Sequence, residues 1–502
     1  MALDGLLANL ALGLSVAATM QNLMWCLMGA VIGTAVGVLP GVGPVATMAL
    51  LLPVTYVLSA DGALIMLAGI YYGAQYGGST TAILVNLPGE SSSVVTTLDG
   101  YQMARQGRAG PALAIAAIGS FFAGCVATIL IAAAAPPLTR LAQQFAPADY
   151  FSLMVLGLVF SIVLARGSII KAFGMVFLGM LLGLVGTDVN TGNLRFTFGI
   201  SDLFDGLGFV PLAMGIFGIA EIIANLTNPE RRDLVSSKVS NLWPSREDFR
   251  RSRGPILRGT ILGSVLGLLP GGGAVLGSFS AYTLEKKVSK TPEKFGTGMI
   301  EGVAGPESAN NAAAQTSFIP MLTLGIPSNA VMAMMIGGMM IHGIIPGPQV
   351  MEQRPGLFWG MIVSMWFGNL MLIILNLPMI GLWVRLLLVP YRLLAIAVLF
   401  FCCIGVYSLN NSANEVLFIA GFGLLGYLLI KLDCEPAPLL LGFILGPMME
   451  VYMRRAMLLS RGDPWVFFQR PLSFAFLVLA GILLLLVVLP AIRKGRETAF
   501  QE

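Results

Sequence analysis

GAVIGTAVGVLPGVG at residues 29–43 and GTILGSVLGLLPGGG at residues 259–273 share seven positions, Leu39 and Leu269 among them. Gly29, Gly33, Gly37, Gly41 and Gly43 recur as Gly259, Gly263, Gly267, Gly271 and Gly273, and Pro40 recurs as Pro270, all at an offset of 230. A glycine at every fourth residue smooths one face of a helix, so that a second helix can approach closely. Each stripe then runs into Leu-Pro-Gly. Proline has no N–H to continue a helix and restricts the residue before it. One such interruption reads as a kink. Two in register, inside apolar segments, read as one device used twice. Irregular backbone at membrane depth is tolerated where it is buried in protein or lines a cavity.

That the setting is a membrane follows from composition. The chain has 502 residues, 56% hydrophobic and 11% charged, with mean hydropathy +0.84. Soluble domains carry about 25% charge. Apolar runs of about 20 residues, enough to cross a ~30 Å hydrocarbon core, recur throughout. They fall at 22–39, 44–59, 62–86, 111–135, 148–166, 168–187, 204–226, 256–284, 302–326, 329–345, 356–379, 392–409, 413–431, 436–452 and 471–491. They lack the strict alternation of barrel strands. The expected fold is an all-α polytopic membrane protein, with about twelve transmembrane helices plus broken or re-entrant segments, the rough count allowing some runs to be half-spans. The opening MALDGLLANLALGLSVAATMQ reads as an interfacial helix. The first basic residue is Arg105, so no cleavable signal peptide is expected. The five cysteines have neither disulfide-framework nor zinc spacing.

The repeat divides the chain into an N-terminal half, 1–227, with its core motif at 29–110, and a C-terminal half, 256–502, with its core motif at 259–350. Between them, the stretch 228–255 reads as a basic cytoplasmic linker, with seven basic and four acidic residues in 228–254. Further on, VNLPGESSS at 85–93 matches LGIPSNA at 324–330, and Pro88 pairs with Pro327 at offset 239. EKKVSKTPEK at 285–294, opposite the short SADG at 59–62, accommodates the nine extra residues. The longer loop holds four lysines and its counterpart no basic residue, as opposite membrane orientations would produce. Inverted-topology repeats of this kind characterise secondary transporters. The linker and the lysine loop both read as cytoplasmic, which favours a chain that turns back near Pro270. From 256 to 269 is about 21 Å of helix, short of a full crossing.

Broken helices expose N–H groups that attract anions and C=O groups that coordinate cations. The substrate-site candidates are therefore the backbone at Gly41, Gly43, Gly271, Gly272 and Gly273, with Ser79, Thr80, Thr81, Asn86, Pro88, Gly89 and Ser91 in the first half. Asn310, Asn311, Pro327, Ser328 and Asn329 are their counterparts in the second. Hydroxyls and amides suit a carboxylate ligand. Glu90 and Glu307, with the backbone at Pro40 and Pro270, are candidates for a coupling ion, and Glu90 is equally read as a helix cap. No Arg lies within these motifs; Arg105 and Arg108 are nearest. His342, the single histidine, reads as structural. Hydrolase, zinc and Walker motifs are absent, so neither an enzyme nor an ATP-driven pump is expected. No cofactor is expected beyond a coupling Na⁺ or H⁺.

GTAVGVLPGVGPVATMALLLPVTY, YYGAQYGGSTTAILVNLPGESSSVVTTLDGYQMARQGRAGPALAIAAIGSF and GPESANNAAAQTSFIPMLTLGIPSNAVMA resemble the large membrane subunit of the tripartite tricarboxylate transporters, the TctA-type proteins. The resemblance covers nearly the full length. It implies a multi-pass protein of the bacterial inner membrane, working with a small four-helix membrane subunit and a periplasmic substrate-binding protein. It also implies import of carboxylates (citrate, other di- and tricarboxylates, aromatic acids) on a Na⁺ or H⁺ gradient. A stand-alone cation-coupled carboxylate carrier and a passive channel are the competing readings.

Overall fold

The computed structural model describes residues 3–39, 43–165, 168–188, 190–227, 242–269, 273–387 and 391–488. Pro40, Gly41, Pro270, Gly271, Gly272 and most of the linker lie outside them. The principal helices of the first half are α1 Leu3–Ala17, α2 Met20–Val38, α3 Pro44–Thr55, α4 Ala60–Val85, α5 Ala109–Ala142, α6 Pro147–Leu164, α7 Ile169–Gly183 and α8 Phe209–Thr227. The second half has α9 Arg246–Leu266, α10 Gly273–Val288, α11 Glu301–Thr316, α12 Phe318–Leu324, α13 Ala330–Ile341, α14 Pro355–Asn376, α15 Tyr391–Asn410, α16 Ala413–Lys431, α17 Ala437–Leu459 and α18 Pro471–Val488. Among the described residues, six helices (α2, α5, α6, α8, α14 and α16) are long and apolar enough to cross a membrane, and five shorter ones are apolar. This is a multi-pass α-helical membrane protein. Large apolar side chains on α15, α16 and α18, such as Phe400, Leu424 and Leu485, lie exposed on its outside.

The glycine stripes carry the packing. A Cβ on Gly29, Gly33 or Gly37 would lie 2.2, 2.3 and 2.4 Å from the carbonyl oxygens of Met66, Ile70 and Ala74. A Cβ on Gly259, Gly263 or Gly267 would lie 2.3, 2.1 and 2.5 Å from those of Gly305, Ala309 and Ala313. So α2 runs parallel to α4, and α9 runs parallel to α11, backbone against backbone. The partners of the second stripe sit 239 positions beyond those of the first, the offset that relates Pro88 to Pro327. The two pairs thus repeat in register.

The interruptions are followed differently. After the second, α10 folds back along α9: Gly273 and Gly277 sit against Gly267 and Gly263, and Arg258 pairs with Glu285 at 2.6 Å. The linker and the lysine loop therefore leave this hairpin on one side, as loop charge predicts. After the first, α3 packs on other elements, with Leu50 against Gly218 of α8 and Pro53 against Gly405 of α15.

Among the boundaries that differ from the sequence reading, three bear on the packing. First, α9 begins at Arg246, inside the expected linker, where the Ser245 hydroxyl accepts from the Asp248 N–H at 3.1 Å. Second, the apolar run 302–326 is interrupted at Ser317, and α12 ends at Gly325 with φ +73°. Third, α1 lies along α14, Gly13 against Trp359 and Val16 against Gly360, so it packs beside a span.

Candidate functional site

α4 is buried from Gly62 to Val85, and one of its faces is polar. Tyr71, Gln75 and Ser79 recur every fourth residue, so they stack along that face over about 12 Å. Opposite them runs α11, antiparallel, bringing Glu307, Asn310, Asn311 and Gln315. The hydroxyl of Ser79 donates to Glu307 Oε2 at 2.5 Å, and Thr96 donates to the other carboxylate oxygen. Among the described residues, only these neutral hydroxyls reach the Glu307 carboxylate, which has no exposed surface. Lower on the same face, Gln75 Nε2 donates to Glu90 Oε2 at 2.9 Å. The Ser92 hydroxyl faces Gln75 Oε1 at 3.1 Å, Asn310 Oδ1 at 2.7 Å and Glu90 Oε1. One proton serves only one of those three acceptors, so the cluster is rich in oxygen acceptors. Asn310 Nδ2 reaches Glu90 Oε1 at 3.3 Å, and the Ser278 hydroxyl of α10 donates to the Ser92 carbonyl at 2.6 Å. The interrupted segment of one half thus meets the helix and hairpin of the other.

The network extends along α11. Asn311 Nδ2 donates to Ser120 at 2.7 Å, Thr128 donates to Gln315 Oε1 at 2.7 Å, and Gln315 Nε2 donates to Asn369 Oδ1 at 3.0 Å. Glu307, Asn311 and Gln315 therefore form a polar stripe of their own at helical spacing. Buried polar groups of this density are stable only when bonded to one another.

The sequence candidates divide. Ser79, Glu90, Glu307, Asn310 and Asn311 come together in this layer. Thr81 instead donates to the carbonyl of Val38 at 2.9 Å and lies against that of Gly37, closing the C-terminal end of α2. Thr80 faces the Tyr76 carbonyl of its own helix at 3.5 Å. Asn86 ends α4 with φ +62° and is exposed. Gly89 is a packing glycine, its absent Cβ lying 2.0 Å from the Gly37 oxygen; Pro88 beside it is half-buried. Ser91 is exposed, and Ser92 occupies the network position expected of it. Pro327 is buried, and the Ser328 hydroxyl donates to the Ser317 carbonyl at 3.0 Å. Asn329 caps α13 by accepting from the Met332 N–H at 2.9 Å, while its Nδ2 faces the Tyr71 hydroxyl at 3.4 Å. Gly43 precedes α3 in open space, whereas Gly273 is packed against Gly267. Arg108 is engaged by Asp248 at 2.5 Å. The Glu90 carboxylate faces across to Asn310 as well as lying at a helix start, so the capping and network readings coexist.

Gln75, Thr96, Ser120 and Gln315 belong to the layer and were not among the candidates. The signal for Gln75 was available: it precedes Ser79 by one helical turn. Ser120 and Thr128 lie on α5 two turns apart, in a stretch of Ala and Gly that announces close packing rather than a site.

A buried polar layer between interrupted helices of a multi-pass protein is the architecture of a membrane transport protein. Residues 23–441 match the Tripartite tricarboxylate transporter TctA family, and the chain belongs to that family. It is therefore the membrane component of a tripartite transporter, and such a system implies partner subunits. Two relatives from Agrobacterium vitis are similar along the chain. One, described as "Uncharacterized 52.8 kDa protein in TAR-I ttuC' 3'region", is 59% identical over 497 residues, covering 99% of both chains. The other, "Uncharacterized protein in TAR-II ttuC' 3'region", is 58% identical over 240 residues, covering 48% of this chain and 99% of its own. No solved structure matches.

Proposed function

We propose that the chain is the large permease subunit of a binding-protein-dependent secondary transporter of the bacterial inner membrane, importing citrate-like di- or tricarboxylates or related organic acids on a Na⁺ or H⁺ gradient. The observation that carries the coupling is Glu307, a fully buried carboxylate cradled by the hydroxyls of Ser79 and Thr96. A buried carboxylate is costly unless its charge is compensated. A transported cation or proton supplies that compensation once per cycle, and the acceptor-rich cluster at Glu90 offers a second point for it. The carboxylate substrate follows from the family, and hydroxyl and amide donors beside the layer suit it.

Two inverted-topology repeats fit the geometry. α2 on α4 and α9 on α11 share one register, and α4 runs antiparallel to α11 where Ser79 meets Glu307 and Tyr71 meets Phe318. Repeats of opposite orientation meeting in such a layer supply the moving interface of alternating access.

The test is uptake of labelled citrate and other organic acids into proteoliposomes. Accumulation should require this chain, the small four-helix subunit and the periplasmic binding protein together. It should collapse when the Na⁺ or H⁺ gradient is dissipated. Full uptake by this chain alone would establish the stand-alone carrier instead, and equilibration without accumulation would establish a channel.

A further inference from the structure

Beside Ser79, the packing of α4 and α5 against the end of α14 leaves a narrow chamber. Its polar lining is Tyr76, Ser79, Thr80, Ser120 and Asn376, and the rest is Leu113 and two alanines. It admits a particle the size of one water molecule, so a carboxylate substrate does not fit. Two of its lining groups are deeply buried and have no hydrogen-bond partner among the described residues: the Tyr76 hydroxyl and Asn376 Oδ1, on residues 3% and 4% exposed. Orphaned buried polar atoms are rare and demand an explanation.

The chemistry of the lining indicates what fills it. Asn376 Nδ2 is engaged by the Leu372 carbonyl at 2.9 Å, so the amide presents its oxygen. The Ser120 oxygen accepts from Asn311, and Ser79 directs its proton to Glu307 Oε2 or the Gln75 carbonyl, leaving lone pairs on both. All five polar side chains of the lining can thus offer oxygen, and among the described residues no basic one lines the chamber. Such a set suits a cation and offers an anion little. Among the described residues it holds no carboxylate or imidazole, so a proton has no ordinary acceptor there. The Glu307 carboxylate lies one hydroxyl away, through Ser79.

We propose that this chamber is a sodium site. A dehydrated Na⁺ is held by Asn376 Oδ1, the Tyr76 hydroxyl and the hydroxyls of Ser79, Thr80 and Ser120, with Glu307 as counter-charge. The proposal rests on the reading of cation-coupled transport and names where that cation sits. Because Ser79 and Glu307 belong to opposite halves, filling the chamber favours the arrangement in which they meet.

Binding of ²²Na⁺ to the purified full-length chain in nanodiscs tests it. One Na⁺ per chain is expected, undisplaced by equal K⁺ or choline. Tyr76→Phe, which removes a single oxygen, and Asn376→Leu should each weaken binding at least tenfold, while Asn376→Asp should retain it. If Asn376→Leu does not fold, Tyr76→Phe carries the test. Absence of saturable ²²Na⁺ binding to the wild type, or equal binding in both variants, overturns the site and leaves it as a place for structural water. The two readings fail separately. Na⁺ binding that Tyr76→Phe abolishes, in a transporter driven by protons alone, upholds the site and removes sodium coupling. Sodium-driven uptake with binding unaffected by either variant overturns the site and leaves coupling intact.

Discussion

Glu307 and Gly263 show how differently single residues contribute. Glu307→Gln keeps an acceptor for Ser79 or Thr96 and removes the charge. The variant should insert and purify at wild-type yield, while gradient-driven uptake falls at least tenfold, about 1.4 kcal/mol in the rate-limiting barrier. Uptake at the wild-type rate would remove Glu307 from the coupling mechanism. Gly263 faces backbone: an added Cβ would lie 2.1 Å from the Ala309 oxygen, and neither helix can yield locally. Gly263→Ala should lower stability by about 1–3 kcal/mol, read as an earlier thermal unfolding transition in detergent. Gly43→Ala, where the added atom meets nothing within 4 Å, should leave that transition in place. The residue types at the layer were legible in GESSS and PESANN. Their phase was not. The turn at Ser91–Ser93 exposes Ser91 and buries Ser92, and which serine points inward depends on that turn's contacts with α4 and α10.

Among the elements, long apolar runs were readable because hydropathy alone selects them, whereas polar-ended helices were not. The first turns of α9 are so rich in Arg, Asp and Glu that they read as linker, although the Ser-x-x-Asp signature at Ser245–Asp248 marked a helix start. The short strand pair Gly186–Thr187 and Leu194–Arg195 fell within and beside an expected span for the opposite reason: its partner is distant in sequence. Arg195 bonds Glu450 of α17 at 2.9 Å and pairs with Asp188, and Arg454 reaches Asp188 at 3.1 Å. The Asn190 N–H, then the Arg195 guanidinium and the Thr191 hydroxyl, hold the Asp188 carboxyl well below the usual carboxylate range. A depressed folded-state pKa adds stability above the ordinary value of about 3.9, and that stability is lost as pH falls through the depressed one. Hydrogen exchange in the loop 186–204 should therefore be unchanged, after correction for intrinsic rates, between pH 7 and pH 5. Asp188→Asn should raise it already at pH 7. Wild-type protection that vanished by pH 5 would show that the anchor lies elsewhere.

At the scale of the molecule, the offsets of 230 and 239 were visible in the sequence and loop charge pointed to opposite orientations, but which residues of α4 and α11 face one another was not, because periodicity carries no contact between the halves. Two ties between the halves make those orientations testable. Asp99 Oδ1 accepts from the N–H groups of Gly296, Gly298 and Met299 at 3.0, 2.8 and 2.7 Å, and Oδ2 accepts from the Tyr282 hydroxyl at 3.0 Å. This fastens the first half to the loop before α11. His342 Nε2 lies 3.1 Å from the Thr55 carbonyl, fastening the end of α13 to the end of α3. On the proposed inverted topology, the two ties would occupy opposite faces of the membrane. On the proposed topology, the basic residues of 285–294 would put the Asp99 tie on the cytoplasmic side. In a cysteine-free background, Thr297→Cys should react with a membrane-impermeant maleimide only in inside-out vesicles. Gly343→Cys should react only in right-side-out ones. Labelling of both from one face would overturn the inverted arrangement. Asp99→Asn replaces an oxygen that accepts three N–H groups with an amide that satisfies them less well, and should raise the reactivity of Thr297→Cys severalfold while leaving Gly343→Cys unaffected.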